Sequence, residues 1–223
     1  MILFSFCLSL YSCGDKNDED SLYYKLMTAL GFDMNDYESE QMVRMLDADD
    51  EEYKNIAAII KILLIDNADI TPFENSREAS SGNCDAILNY MLNNSYAAYS
   101  GNAELLADAE NEYPQYSITT LIPKTDYEGC VYRYFGGDSS VVHESSVRFI
   151  YLPKVGAYTT TGQPAPVTAE IWISMCCETA NTYRITFTVG DAEGKSRGYT
   201  AMMMKREDGT IYMKYLRAAE ETE

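Results

Sequence analysis

The chain has one histidine, His143, in the run Ser139-Ser140-Val141-Val142-His143-Glu144-Ser145-Ser146, where hydroxyls and a carboxylate flank the only imidazole. Those residue types could perform acid–base or nucleophilic chemistry, but the spacing does not support a triad. Adjacent residues of an extended segment point in opposite directions, and a triad is assembled from distant positions. No nucleophile motif of the GxSxG kind accompanies it. No catalytic residue is therefore assigned, and His143 is the candidate for any general acid–base role.

The second reactive set is the thiols. Beyond Cys13 lie Cys84, Cys130, Cys176 and Cys177. In an oxidising compartment these are candidates for disulfides, and four cysteines allow three pairings. Cys176 and Cys177 alternate across a strand, so only one of them faces the core. Cys130 with one of that pair, or with Cys84, is the pairing to test first, and plain buried thiols are the alternative. No CxxC or CxxH spacing occurs, so a zinc site is not expected. The acidic run Asp47, Asp49, Asp50, Glu51, Glu52 fails as an EF-hand, because the glycine position holds Glu52 and the twelfth holds Ala58. It reads instead as the charged start of a helix. Neither a metal nor a cofactor is expected.

The 223 residues carry a net charge of −18, unevenly spread. Residues 1–113 hold 22 acidic and 6 basic residues, and 114–223 hold 13 and 11. Such a surface repels phosphate backbones, so no nucleic acid partner is expected. The 19 tyrosines could supply a stacking surface for sugars or peptides. Tyrosine also suits sheets, and Tyr151, Tyr183, Tyr199 and Tyr215 fall on faces expected to be buried.

The elements that must position these groups are read from periodicity. From Val167 to Leu216 the chain alternates apolar and polar residues: Val167, Ala169, Ile171, Ile173 and Met175 share one face, then Tyr183, Ile185, Phe187 and Val189. The cluster Gly190 to Gly194 and the Asp208-Gly209 pair mark tight turns, giving an antiparallel meander. Before it, Ser21 to Thr71 reads as acidic and helical: Leu22, Leu26, Ala29 and Leu30 form one stripe, Ser39 caps a helix carrying Met42, Val43, Met45 and Leu46, and a third helix runs from Asp50 or Glu51 to Ile65. Pro72 to Asn83 reads as a linker. Helices follow over Cys84 to Tyr99 and Asn102 to Asn111, then a strand over Tyr116 to Leu121. A helix opened by a Thr125/Glu128 capping box and closed by Gly136-Gly137 comes next, and then a strand over Ser146 to Leu152 with Val147, Phe149 and Tyr151 on one face. The fold class is α+β, an acidic helical region (21–75) followed by a domain (84–217) of helices packed on a bent antiparallel sheet.

The N-terminus carries an uncharged apolar run, Met1 to Ser12, followed by Cys13-Gly14-Asp15. Leu10-Tyr11-Ser12-Cys13 resembles the bacterial lipobox, which implies that residues 1–12 are a signal peptide, that Cys13 is lipidated, and that 13–20 form a polar tether. Two or three acyl chains on Cys13 would anchor the chain stably to a bacterial membrane, facing the envelope. From Cys84 onward the element order also resembles the cystatin-like and nuclear transport factor two-like cone folds, whose members include enzymes, binding modules and structural domains. The expected function is an envelope lipoprotein acting as a non-catalytic binding module for a glycan, a peptide or a protein. An inhibitor of a secreted wall enzyme, docking through the acidic run, and a small-molecule enzyme with its site in the cone are the alternatives.

Overall fold

Residues 42–65, 69–137, 139–160 and 162–219 are described by a computed structural model. Cys13, the lipobox-like run and the Leu22–Leu30 stripe lie outside them. Five helices and two antiparallel sheets make up the described chain, an α+β fold.

The meander forms as its alternation requires. Strands β5 (Glu170–Thr179), β6 (Thr182–Gly190), β7 (Ser196–Lys205) and β8 (Ile211–Ala218) pair in succession, and the positive φ falls on Gly194 (83°) and Gly209 (84°) in the two longer turns. Tyr183, Ile185, Phe187, Val189, Tyr199, Ala201 and Met203 are all buried, with Phe187 stacked on Tyr199 at 5.5 Å. Two irregularities alter the expected faces. In β5 the register against β6 shifts between Ile173 and Met175. Ile173 opposes Phe187 on the buried side, whereas Met175 opposes Thr186, so Met175 turns to the other face and Cys176 takes its place inward. An extra residue in one strand of a pair reverses side-chain parity in this way. A similar shift separates Met202 and Met203 against β8. Tyr215 consequently lies on the outer face, half-buried under Arg217 rather than in the core.

The first strand is a correction. Met42–Met45 is strand β1, not helix, and pairs antiparallel with the C-terminal half of β5, Met45 opposite Cys177. The helical spacing of Met42, Val43, Met45 and Leu46 is equally a run of apolar residues that a sheet edge can take up. After a turn at Asp47–Asp50, helix α1 (Glu51–Lys61) buries Ile56, Ile59 and Ile60. Pro72–Asn83 is not a spacer. Phe73 is buried, and helix α2 (Ser76–Gly82) starts at Asn75, whose side chain accepts from the Glu78 amide. Asn83 does not cap the next helix with its side chain; its amide instead brackets the Thr71 backbone, accepting from N at 3.1 Å and donating to O at 2.9 Å. Leu46, Ile56, Phe73, Ile87, Phe135 and Met213 share one hydrophobic core, so α1 and β1 are built into the same body as the meander.

Helices α3 (Cys84–Ser100) and α4 (Ala103–Glu112) form where the periodicity placed them. The expected strand at Tyr116–Leu121 is irregular, with only Ile122–Pro123 (β2) paired. Helix α5 (Lys124–Phe135) follows directly from Pro123 without a side-chain cap, so the Thr125/Glu128 box is not formed and Glu128 is released for another partner. Strands β3 (Ile150–Leu152) and β4 (Ala157–Thr159) complete a small sheet in the order β2-β4-β3. Val147 is 96% exposed while Phe149 is buried, because 146–149 is a turn closed by Ser146 and Phe149 rather than the start of a strand.

The β7–β8 hairpin docks on the C-terminus of α5 through Arg206. Its guanidinium packs between the rings of Tyr132 and Tyr212, at 5.1 and 4.4 Å, and donates to the Tyr132 and Arg133 carbonyls. A cation belongs at that end of a helix, where the carbonyls are unpaired. Arg206→Ala should cost about 1–2 kcal/mol in chemical denaturation, since charge-assisted hydrogen bonds and ring contacts are lost together. Arg206→Lys should recover only part of it, lacking the planar fork.

Candidate functional site

His143 is held by residues that its own sequence neighbourhood does not contain. Its Nε2 lies 2.9 Å from Glu128 Oε1 on α5, and its Nδ1 lies 3.0 Å from the Tyr158 hydroxyl on β4. Tyr151 of β3 stacks on the ring at 5.3 Å, and Tyr127 and Tyr158 approach at 6.1 and 5.9 Å. The carboxylate can only accept, so Nε2 carries the hydrogen, and in the neutral ring Nδ1 then accepts from the Tyr158 hydroxyl, while in the imidazolium it donates to it. Both ring nitrogens are then engaged. Burial pushes the phenols of Tyr158 and Tyr127 well above the usual range, so neither readily gives up a proton. The imidazole thus has no lone pair to offer a substrate without releasing a buried hydroxyl. His143 pins the 139–149 segment to α5 and the small sheet, and Glu144 is not its partner. His143→Ala should cost about 1–3 kcal/mol, the usual penalty for an orphaned buried hydroxyl, measurable by urea unfolding. Tyr158→Phe introduced with it should restore part of the loss.

The serines next to His143 are likewise structural. Ser146 Oγ donates to the Asp85 carboxylate at the start of α3, which also accepts from the Arg148 amide at 3.1 Å. Ser139 exchanges hydrogen bonds with the Ser76 hydroxyl.

The cysteines proposed for disulfides, Cys84, Cys130, Cys176 and Cys177, are all free thiols. Cys84 opens α3 beside Tyr127 and Ser146, Cys130 lies on α5, Cys176 points into the core, and Cys177 lies on the opposite face of β5, 2.9 Å from Met45 Sδ. Burial raises Cys84 to about 11 and Cys130 and Cys176 to about 12. Thiols this far above the ordinary value of about 8.5 are poor nucleophiles. A thiol reagent should find these four nearly silent in the native protein and reactive after denaturation.

The acidic run is also internally engaged. Arg44 reaches Glu178 at 2.6 Å, Asp50 at 3.0 Å and Glu52 at 3.4 Å. The Asp50 carboxyl lies below its usual range because it accepts from the Asp47 amide, with Arg44 adding to the effect. Lys54 pairs with Glu51. Among the described residues no group of acidic, cysteine or histidine side chains is arranged to hold a metal ion, and no helix is long and apolar enough to cross a membrane.

An open groove of about 790 Å³ lies elsewhere, between the helices and β5. Tyr53, Ala57 and Lys61 of α1 and Leu64 after it form one wall, Tyr90, Asn93 and Asn94 of α3 the other, and Ala169, Ile171 and Ile173 the floor. It exists because the helix layer leaves the N-terminal half of β5 incompletely covered: Ile171 and Ile173 are only half-buried, although they alternate with the core face. Comparison with known proteins gave no match to a family model, a curated protein or a solved structure. The chemistry of the groove therefore rests on its residues alone. Tyr90 is braced edge-on by Tyr134 at 6.1 Å, and burial, with Tyr134 beside it, pushes its hydroxyl up to about 12. The amide of Asn94 is tied to the Tyr90 carbonyl at 2.7 Å and that of Asn93 to the Ala165 carbonyl at 3.3 Å. Two rings, two fixed amides, one cation (Lys61), one carboxylate (Glu170) and an apolar floor match what a binding cleft uses to hold an amphipathic ligand. The sequence reading missed Tyr53, Tyr90, Asn93 and Asn94. Tyr90, Asn93 and Asn94 follow one another at helical spacing on α3, a signal that was there to find.

Proposed function

We propose that the protein is an envelope-facing lipoprotein, held to a bacterial membrane through Cys13, whose helix–sheet groove binds an extended amphipathic ligand without chemical conversion. The groove carries this reading: it is open, lined by two tyrosines and by tied amides, and separate from the one histidine, whose two nitrogens are spent on structure. Burial of apolar ligand surface on Ile171, Ile173 and the tyrosine rings supplies affinity, and the amides and Lys61 supply orientation. Glycans and peptides both have the required mixture of apolar faces and polar edges.

The chain's single tryptophan, Trp172, lies on the opposite face of β5 from Ile171 and Ile173, so groove occupancy is read by calorimetry. A panel of neutral oligosaccharides and capped peptides titrated into the full chain should produce saturable heat in isothermal titration calorimetry, with affinity weakened about tenfold or more by Tyr53→Ala, as loss of one stacked ring implies. No saturable heat with any probe, or binding indifferent to Tyr53→Ala and Tyr90→Ala, would remove the groove as the site. Fatty-acid labelling in the bacterial host should disappear in Cys13→Ala, and labelling that persists would refute the anchor.

A further inference from the structure

The geometry points to an extended peptide segment as the occupant of this groove, added as an edge strand along Glu170–Ser174 of β5; this rests on the groove being a binding site at all. β5 has ten residues, but β1 pairs only with its C-terminal part, at Cys177, Glu178 and Thr179, and the last bond on that side is from the Leu46 amide to the Cys176 carbonyl at 2.8 Å. The chain then leaves the sheet through the Asp47–Asp50 turn into α1. At the other end, the Thr168 and Ala169 amides are taken by the Ile65 carbonyl. Between these two anchors, among the described residues, no strand pairs with Glu170–Ser174 on the side away from β6. An unpaired strand edge is a template for another chain, and the line of β1 continues directly into it.

The two faces of that edge are furnished for alternating side chains. On the inner face, Ile171 and Ile173 floor the groove beneath Tyr53, Ala57 and Tyr90. On the outer face lies Trp172, 54% exposed, and Glu170, two residues before it and also exposed, borders the groove mouth at the start of the strand. The indole lies over Gly190 of the neighbouring strand, where a Cβ would meet it at 2.6 Å, so the glycine makes room for the ring. A strand laid along this edge sends every second side chain into the apolar groove and the others over an indole next to a carboxylate. The inward residues are apolar and the outward ones cationic: Trp is the best cation–π platform, Glu170 adds an opposite charge, and the net charge of −18 steers cationic segments inward from a distance. Backbone pairing supplies affinity and the two faces supply specificity, which is how strand addition recognises peptides.

The test uses the full chain and a capped peptide, acetyl-Thr-Val-Lys-Phe-Thr-Val-Lys-amide, read by isothermal titration calorimetry and by amide hydrogen exchange. Binding should slow exchange at Glu170–Ser174. Only one edge of the peptide faces β5, so N-methylating one alternate set of its amides should weaken binding about tenfold or more, as two lost backbone hydrogen bonds imply, while methylating the other set leaves it within about twofold. Trp172→Ala should weaken this peptide but not a variant with Thr in place of its lysines. Equal sensitivity to both methylated sets, or no binding of the peptide, overturns the strand-addition proposal. If neutral oligosaccharides then still bind in a Tyr53-dependent way, the binding-module reading survives without it, and if they too fail, both fall.

Discussion

Phe73→Ala is expected to lower the free energy of unfolding by about 3–5 kcal/mol, the cost of emptying a buried aromatic site. Set against the roughly 5–15 kcal/mol by which domains are stable, that is a large fraction of the total. The ring is 2% exposed and meets Phe135 of α5 edge-on at 5.8 Å. Its backbone is bound too: the Phe73 amide donates to the Leu216 carbonyl and the Leu216 amide donates back, both at 2.9 Å. Glu74 follows with a two-point pairing to Arg217. The residue therefore joins the segment between α1 and α2 to the last strand, and the cavity left by Ala cannot collapse without pulling that bridge. Phe73→Leu, which keeps most of the volume, should cost about 1.5 kcal/mol or less. Urea unfolding with an unchanged slope is the measurement; a loss below about 1 kcal/mol for Phe73→Ala would mean that the 72–83 segment is the spacer its composition suggests.

That segment shows where the sequence was misleading. Its serines, asparagines and glycine carry the composition of a linker, yet Phe73 is its only large apolar residue and periodicity cannot register a single anchor. The meander was legible because period-two alternation survives from strand to strand and its turns carry glycine where φ is positive. What local pattern could not show was the extra residue in β5, which exchanges Met175 for Cys176 in the core, or the pairing of Met42–Met45 with a strand about 130 residues away. A short apolar run beside an acidic stretch takes its state from its partner, and the partner was non-local.

The candidate site divides in the same way. His143 was visible as the only imidazole, but its meaning depended on Glu128 and Tyr158, each 15 residues away and brought in by α5 and the small sheet. The spacing of Thr125 and Glu128 suggested a cap; Pro123 at the helix start, with no side-chain cap, leaves Glu128 facing His143 instead. The groove was invisible for a different reason. It is made by incomplete coverage of β5, a property of how α1 and α3 lie on the sheet and of no residue in particular.

The largest pH effect is expected on the alkaline side, as cooperative unfolding between about pH 9 and 11. Cys84, Cys130 and Cys176 are pushed to about 11, 12 and 12, in each case mainly by burial, from an ordinary value near 8.5. A thiol whose folded value lies above its unfolded one holds its proton longer in the folded state. The stability it contributes is complete below the unfolded value and is lost as the pH rises through the folded one. Each thiol releasing a proton only on unfolding removes about 1.4 kcal/mol per pH unit, so three remove about 4 kcal/mol per unit. Two such units consume a typical domain's stability, so the protein should unfold before its core thiols ionise in place. Buried phenols, Tyr127 foremost, act in the same direction. Far-ultraviolet circular dichroism should show one cooperative transition in this range, and a fold that stays native beyond about pH 12 would contradict the account. Replacing Cys130 and Cys176 by alanine should flatten the dependence of unfolding free energy on pH by about 1.4 kcal/mol per unit for each thiol removed, whatever the double variant loses at neutral pH, because the slope counts protons and is independent of packing.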